Sequence, residues 1–255
     1  MNNNLTSFSN SGTYKLDKNS SKLLVKSGQE IVVDLVCDFK EMNLEIEVEE
    51  DAKLTFRILN FTDEKTIVLN QKVSKNGVFS GILADFASSN LTLKSVSELD
   101  GEGAKASFYF STLSKGNSLK DYDISFNHNV KNTKSKLEGY GVCEDESQLY
   151  VNGISHIKEG SIKSETSQKI KGILFDETSI AKANPILKID CDDIIASHAC
   201  AIGNLNDNHI FYLLTRGITL ENARRLITTG YLNPIKEYFD DEDKERISQL
   251  IEVNF

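Results

Sequence analysis

The stretch NLEIEVEE (43–50) sets Leu44, Ile46 and Val48 on one side and Glu45, Glu47 and Glu49 on the other. A period of two sends successive side chains to opposite faces of an extended chain, so it marks a half-buried strand. Working outward, similar runs occur at EIVVDLVCDF (30–39), KLTFRILNF (53–61), TIVLNQKV (66–73) and ASFYFSTL (106–113). They continue at SQLYVNGISHI (147–157), QKIKGILFD (168–176), ILKID (186–190) and DDIIASHACAIG (192–203). The runs end in Gly, Asn, Asp or Ser, which tolerate turn conformations. No long helical pattern interrupts 23–202. An all-β chain manages its sheet edges by closing a barrel, forming a sandwich or stacking as a solenoid. Turn signals recur irregularly and no strict repeat is found, so the pattern permits a solenoid without requiring it.

On the N-terminal side, residues 1–22 are polar, rich in Asn and Ser, and expected to fray. On the C-terminal side the character changes after Gly203. Asn206 or Asp207 can cap a helix carrying Ile210, Phe211, Leu213 and Leu214, stopped by Gly217. Thr219 can cap a second helix with Leu220, Ala223, Leu226 and Ile227 on one face and Gly230 at its end. Asn233-Pro234 reads as a cap with Pro at the first helical position. The acidic run from Asp240 suits the start of a helix whose stripe is Ile247, Leu250 and Ile251. The chain therefore divides into a polar segment (1–22), a β core (23–203) and a helical domain (204–255).

The 255 residues are 39% hydrophobic, enough for one sizeable core with an appendage. With 29 Lys and Arg against 38 Asp and Glu, the net charge of −9 gives no electrostatic reason to bind nucleic acid or an anionic membrane. No apolar run reaches the roughly 20 residues of a membrane helix. MNNNLTSFSNSG lacks a charged-then-apolar leader pattern, so the expected location is cytoplasmic. Cys37, Cys143, Cys191 and Cys200 form no CxxC pair. GxxxxGK[ST], GxSxG and HExxH are missing as well, so the chain writes no ATP site and no catalytic motif of these kinds. The expectation is a protein that is not an enzyme.

The C-terminal third carries a more specific pattern. PILKID (185–190), then DDIIASHACAIG (192–203), NLND (204–207), FYLLTRGI (211–218) and ARRLI (223–227) run in that order. This resembles the SufB/SufD family, scaffold components of the SUF iron–sulfur cluster assembly system. The family pattern is approximately P-x-L-x-I, two acidic residues, S-H-G-A-x-x-G, F-Y-L-x-S-R-G-I and A-x-x-L-I. Weaker matches at DGEGA (100–104), His128 and KIKGIL (169–174) extend the resemblance over roughly 92–240, with none in 1–91. Here Ala199 follows the His where many members have Gly, and Cys200 stands where Ala is common. Ser197 before the His favours the SufD branch.

The resemblance implies a right-handed parallel β-helix with a C-terminal helical domain that docks a SufC-type ABC ATPase. It implies pairing through the β-helix ends, either with a SufB-like paralogue or with a second copy acting as a compact SufB-like homodimer. It implies an iron–sulfur cluster assembled transiently near that pairing surface, whether or not a flavin joins the complex. The cluster and interface candidates are His198, Cys200 and Cys191, with His198 and Cys200 the metal candidates. The ATPase-docking candidates are Phe211, Tyr212, Arg216, Gly217 and Arg224.

Each candidate has a plainer reading. His198 and Cys200 are two apart in an extended run and share a face with Ile194, Ala196 and Ile202. Both faces of that strand are small or apolar, so it is expected to be covered on both sides, with His198 satisfied by a backbone carbonyl. Cys37 and Cys143 read as structural. Arg216-Gly217 reads as helix capping, and Phe211, Tyr212 and Leu213 as core. Of Arg224 and Arg225, at most one faces the core. Adjacent Asp192 and Asp193 point to opposite faces of a strand and make a poor acid pair. The rival classes are a carbohydrate-active or an adhesive β-solenoid, which would call for an export signal and, for sugars, stacking Trp; the chain has no Trp.

Overall fold

The computed structural model describes residues 5–8, 10–16, 19–36, 39–205 and 207–253. These form two eight-stranded parallel sheets. One holds β1 (Leu5–Ser7), β3 (Lys22–Val25), β5 (Glu41–Val48), β7 (Lys65–Val73), β9 (Leu91–Leu99), β11 (Leu119–His128), β13 (Gln148–Ile157) and β15 (Ile180–Ile189). The other holds β2 (Gly12–Lys15), β4 (Glu30–Val36), β6 (Lys53–Asn60), β8 (Val78–Asp85), β10 (Lys105–Ser114), β12 (Lys134–Cys143), β14 (Ser164–Leu174) and β16 (Ile194–Asn204). The chain changes sheet at every turn, and each strand pairs with those two before and two after it. This is a parallel β-solenoid. Within the polar segment expected to fray, β1 and β2 pair onto β3 and β4.

The absence of a sequence repeat has a geometric cause. One corner of six successive rungs, from β3–β4 to β13–β14, is turned by a residue with positive φ: Gly28, Asp51, Asn76, Gly103, Asn132 and Lys163. Their spacings are 23, 25, 27, 29 and 31 residues, so the rungs lengthen toward the C-terminus and no fixed period exists. Each step is two residues. Ladder register, not rung length, keeps the faces: in the first sheet successive strands are offset by 23, 25, 26, 29, 29 and 32 residues, yet inward residues still stack, as Leu44 on Leu69 and Ile67 on Leu93. Successive corners are stitched together, as in Asn76 Nδ2 donating to Asp51 Oδ1 at 2.9 Å and Asn132 Nδ2 donating to Glu102 Oε1 at 2.7 Å.

Inward residues of both sheets make the main core, with Phe56, Phe79, Phe108, Phe110, Tyr122 and Phe126 at its centre. Glycine sits beside the rings. A Cβ at Gly139 would collide with the Phe110 ring and one at Gly81 with Phe108. One corner of this core buries an ion pair. Lys120 Nζ lies 2.9 Å from Asp85 Oδ2, both fully buried, and also donates to the Ala87 carbonyl at 2.8 Å. Tyr122 O–H at 2.6 Å and Asn60 Nδ2 at 2.9 Å complete the shell around Asp85.

The tail forms α1 (Asp207–Thr215), α2 (Leu220–Leu232), a 3₁₀ turn (Asn233–Tyr238) and α3 (Asp241–Val253). Leu232, Ile235, Phe239, Ile247 and Ile251 pack on the outer face of the second sheet against Leu59, Ile82, Ala84, Leu113 and Val142. Three arginines fasten this second core. Arg57 donates to Asp34 and to the Tyr238 carbonyl, Arg224 to Asp176 at 3.0 Å, and Arg246 stacks 3.9 Å from the Phe61 ring centre. Two expectations for α2 change. Gly230 does not end it, and the buried face runs through Ala223, Thr228 and Leu232 while Leu220 and Leu226 are exposed. The solenoid's outer face, invisible in the helix's own periodicity, sets that rotation. Thr219 does cap α2, accepting from Asn222 N–H at 3.3 Å. Asn206, the other proposed cap of α1, lies outside the described residues.

Replacing Lys120 by Met would leave the Asp85 carboxylate buried without its cation. The expected cost is about 3–5 kcal/mol, read as a lower urea midpoint with unchanged m-value.

Candidate functional site

The described rungs of the solenoid end at β15 and β16, and no further strand pairs with them among the described residues. Register places His198 over Gln168 and Cys200 over Ile170. Gln168 and Ile170 are buried in the lumen, so His198 and Cys200 continue two inward rows at the open end. The expectation that β16 is covered on both faces fails here. Ser197 to Ala201 are all exposed, and Ile195 is 66% exposed. A terminal strand has neither a pairing partner on its free edge nor a rung to cover its inward side chains.

The lumen changes character toward this end. His128 Nε2 is 2.8 Å from Ser135 Oγ, which is 2.7 Å from Thr166 Oγ1. Thr166 donates to Ser155 Oγ at 2.8 Å, and Gln168 Nε2 reaches Ser155 Oγ at 2.9 Å and the Ile186 carbonyl at 3.2 Å. His198 Nδ1 lies 3.1 Å from the Pro185 carbonyl on the facing sheet. A carbonyl only accepts, so Nδ1 carries a proton, and in the neutral ring Nε2 presents its lone pair. An imidazole that donates one N–H to a backbone carbonyl is oriented for metal ligation through the other nitrogen.

Neither nearby thiol is activated. Partial burial pushes Cys200 up, and burial together with Asp192, Asp190 and Asp193 pushes Cys191 up. Only thiolate binds metal, so each thiol must lose its proton on binding. Cys191 is half-buried in the corner between β15 and β16, where Asp192 and Asp193 are exposed and His156 Nε2 pairs with Asp190 at 2.7 Å. Among the described residues no group of three or more His, Cys, Asp or Glu is arranged to hold a metal ion. Cys143 is buried in the core with its thiol pushed up to about 12 by desolvation; Cys37 lies outside the described residues.

The ATPase-docking candidates separate in the structure. Phe211 and Tyr212 are 67% and 57% exposed, against the reading of them as core. They sit on α1, which follows the edge strand β16 with two residues between. Leu214 on the same helix, and Leu220 and Leu226 on α2, are exposed too. Helical spacing could not reveal the exposure of Phe211 and Tyr212, because α1 is apolar all round and only packing shows which side stays bare. Arg216 lies 5.2 Å from the Tyr212 ring centre. Gly217 has φ +81° and closes the helix through its N–H to the Leu214 carbonyl. Arg224 turns the other way, clamped on Asp176 and the Phe175 carbonyl.

A family model described as "SUF system FeS cluster assembly, SufBD core domain" matches residues 11–231. The chain belongs to the SufBD core domain family. The match reaches further toward the N-terminus than the motifs of 92–240, because the early rungs carry only the strand alternation and no distinctive residues. Among curated relatives, iron–sulfur cluster assembly protein SufD of Bacillus subtilis is 26% identical over 80% of this chain and 47% of its own length. A SufBD family protein of Staphylococcus saprophyticus is 23% identical over 82% of this chain and 45% of its own. One from Mycobacterium tuberculosis is 24% identical over 61% of this chain and 18% of its own. The chain spans about half the length, or less, of the curated relatives it matches. No helix among the described residues is long and apolar enough to cross a membrane.

The lumen histidine gives a pH test. His128 hydrogen-bonds to Thr133 and Ser135, and burial lowers its pKa from 6.5 to about 4. It is neutral when folded, whereas the unfolded chain takes up its proton near pH 6.5. Its contribution is therefore present above that pH and lost as pH falls toward 4. Between pH 7 and 4.5, His128→Gln should shrink the fall in unfolding free energy by about 2–3 kcal/mol, measured by urea titration at both pH values.

Proposed function

We propose that this chain is a SufD-like scaffold subunit of the SUF iron–sulfur assembly system. It pairs through the open solenoid end with another SufB/SufD-type protomer and docks a SufC-type ABC ATPase on its helical unit. The observation that carries the reading is His198, fixed by Pro185 with Nε2 free, at an uncovered terminal rung. Iron and sulfide are cargo in this scheme. His198 Nε2 offers a ligand to the growing cluster, and Cys200 offers a second once its proton leaves. The missing ligands come from across the open edge, because this chain supplies too few for a closed site. The chain performs no covalent chemistry of its own and leaves nucleotide hydrolysis to its partner. It works in the cytoplasm, without nucleic acid or membrane.

The bare surface of Phe211, Tyr212 and Leu214 supports α1 as the ATPase contact. Docking there would act on the strand carrying His198 and Cys200 through only two intervening residues. Arg216 belongs to this contact with Gly217 shaping its end, while Arg224 serves it indirectly by holding α2 to the solenoid. The compact SufB-like homodimer remains a second reading with its own observation. Asn184 donates to Asn152 at 2.8 Å and Asn152 to Asp123 at 2.7 Å, a ladder that reaches the free edge of β15. An identical Asn184 across a two-fold axis could continue it.

Co-expression with the cognate ATPase, purification through this chain and light scattering test the reading. Point variants serve better than removing 204–255, which would uncover the second core. Phe211→Glu with Tyr212→Ser should abolish co-purification of the ATPase while leaving the thermal transition within about 2 °C. Retained co-purification would move the docking surface elsewhere. A scaffold mass of twice the 28.5 kDa chain would favour the homodimer. In the assembled complex, His198→Ala should lower iron and acid-labile sulfide at least fivefold; unchanged loading would remove His198 from the site.

A further inference from the structure

The outer face of the second sheet carries a groove that the scaffold reading does not use. It holds about 360 Å³ and crosses β8, β10, β12, β14 and β16. Register explains its shape. Ser80, Ser107, Lys136, Ser167 and Ser197 occupy one continuous row across these strands. Lys136 bends away from the row, to Glu138 at 2.8 Å and over the Tyr109 ring, so small hydroxyl residues floor a trough. The next row supplies one wall with Val78, Lys105, Lys134, Glu165 and Ile195.

Its charge opposes that of the chain. The outward positions of these five strands hold Lys105, Lys134, Lys136, Lys169 and Lys171 against Glu138 and Glu165 alone. The protein as a whole carries −9. Lys134 is matched by Glu165 at 2.8 Å, and Lys136 and Lys169 share Glu138, but Lys105 has no ion pair among the described residues.

We propose that this groove binds an acidic, extended peptide segment carried by the protomer that stacks on the open end. The partner location rests on the scaffold reading; the ligand chemistry does not. Strands lie about 4.8 Å apart, so the groove from β8 to β16 is about 19 Å long. An extended segment of about six residues fills it, with carboxylates on one face every ~7 Å to meet the lysine wall and with backbone polar groups over the serine floor. The groove runs out at the free edge of β16 beside exposed Ile195, where a chain arriving from a stacked protomer would enter. Phosphoryl ligands suit it poorly. Strand N–H groups are held in the ladders, and no helix N-terminus or glycine loop lines the trough.

The test has two arms. In the first, a fluorescein-labelled twelve-residue peptide alternating Glu and Ser is titrated by anisotropy, with a Gln/Ser peptide and tripolyphosphate as controls. The acidic peptide should bind at least tenfold more tightly than the Gln/Ser peptide, and Lys105→Glu with Lys134→Glu should remove that preference. Equal binding of the Gln/Ser peptide, indifference to the charge reversal, or displacement by tripolyphosphate at equal concentration would overturn the proposal. In the second arm, the assembled scaffold pair is treated with a zero-length carbodiimide cross-linker. Lys105, Lys134 or Lys136 should join to carboxylates of the other protomer. An intact pair with no such link would overturn the assigned source. If no pair forms by light scattering, the scaffold reading fails instead, and the peptide arm alone decides the groove.

Discussion

Everything in this molecule follows from keeping inward side chains inward while the rungs grow. Each rung is two residues longer than the last between corners 28 and 163. Ladder register stacks inward residue on inward residue across unequal offsets, as Ile67 on Leu93, so one face of the strands stays in the lumen. Rings fill the wide middle rungs, and glycine at Gly81 and Gly139 makes room for them. A methyl group at either glycine would force a ring to move, since interiors are packed at crystal-like density. The same rule explains the open end. At β16 the inward row persists as His198 and Cys200, but no further strand among the described residues covers it.

The helical tail is bound to this constraint rather than appended to it. It covers the outer face of the second sheet with a core of its own, held by Arg57, Arg224 and Arg246. Burying that much apolar surface makes the solenoid and helices mutually dependent, at roughly 25 cal/mol per Å² of apolar area removed from water. It also fixes the direction in which α1 turns its uncovered side. That side, with Phe211 and Tyr212, emerges close to the edge strand that carries His198 and Cys200.

Among the described residues, the groups at the open end do not by themselves make a metal site. Pro185, which has no N–H and so weakens β15 as a free pairing edge, contributes its carbonyl to orient His198. The thiols of Cys191 and Cys200 are both pushed up, so they stay protonated in the absence of a cation. Such a group of residues holds no reactive thiolate.

The sequence by itself determined the strands, because a period of two in 43–50 and its neighbours is a local property of the chain. Thr219 as a cap and Gly217 as a stop were legible for the same reason, and the ordered SHACAIG and FYLLTRGI stretches carried the family. The solenoid itself was only permitted by the pattern, since rungs that lengthen leave no period to detect. Only the tertiary structure decided which faces are bare. Whether β16 is covered depends on what stacks above it, and whether Phe211 is core depends on how far the second sheet's outer face extends. The proton on His198 Nδ1 depends on a carbonyl thirteen residues away on the opposite sheet. Long-range packing sets burial, tautomer and surface charge, and none of these is written in the spacing of residues along one strand.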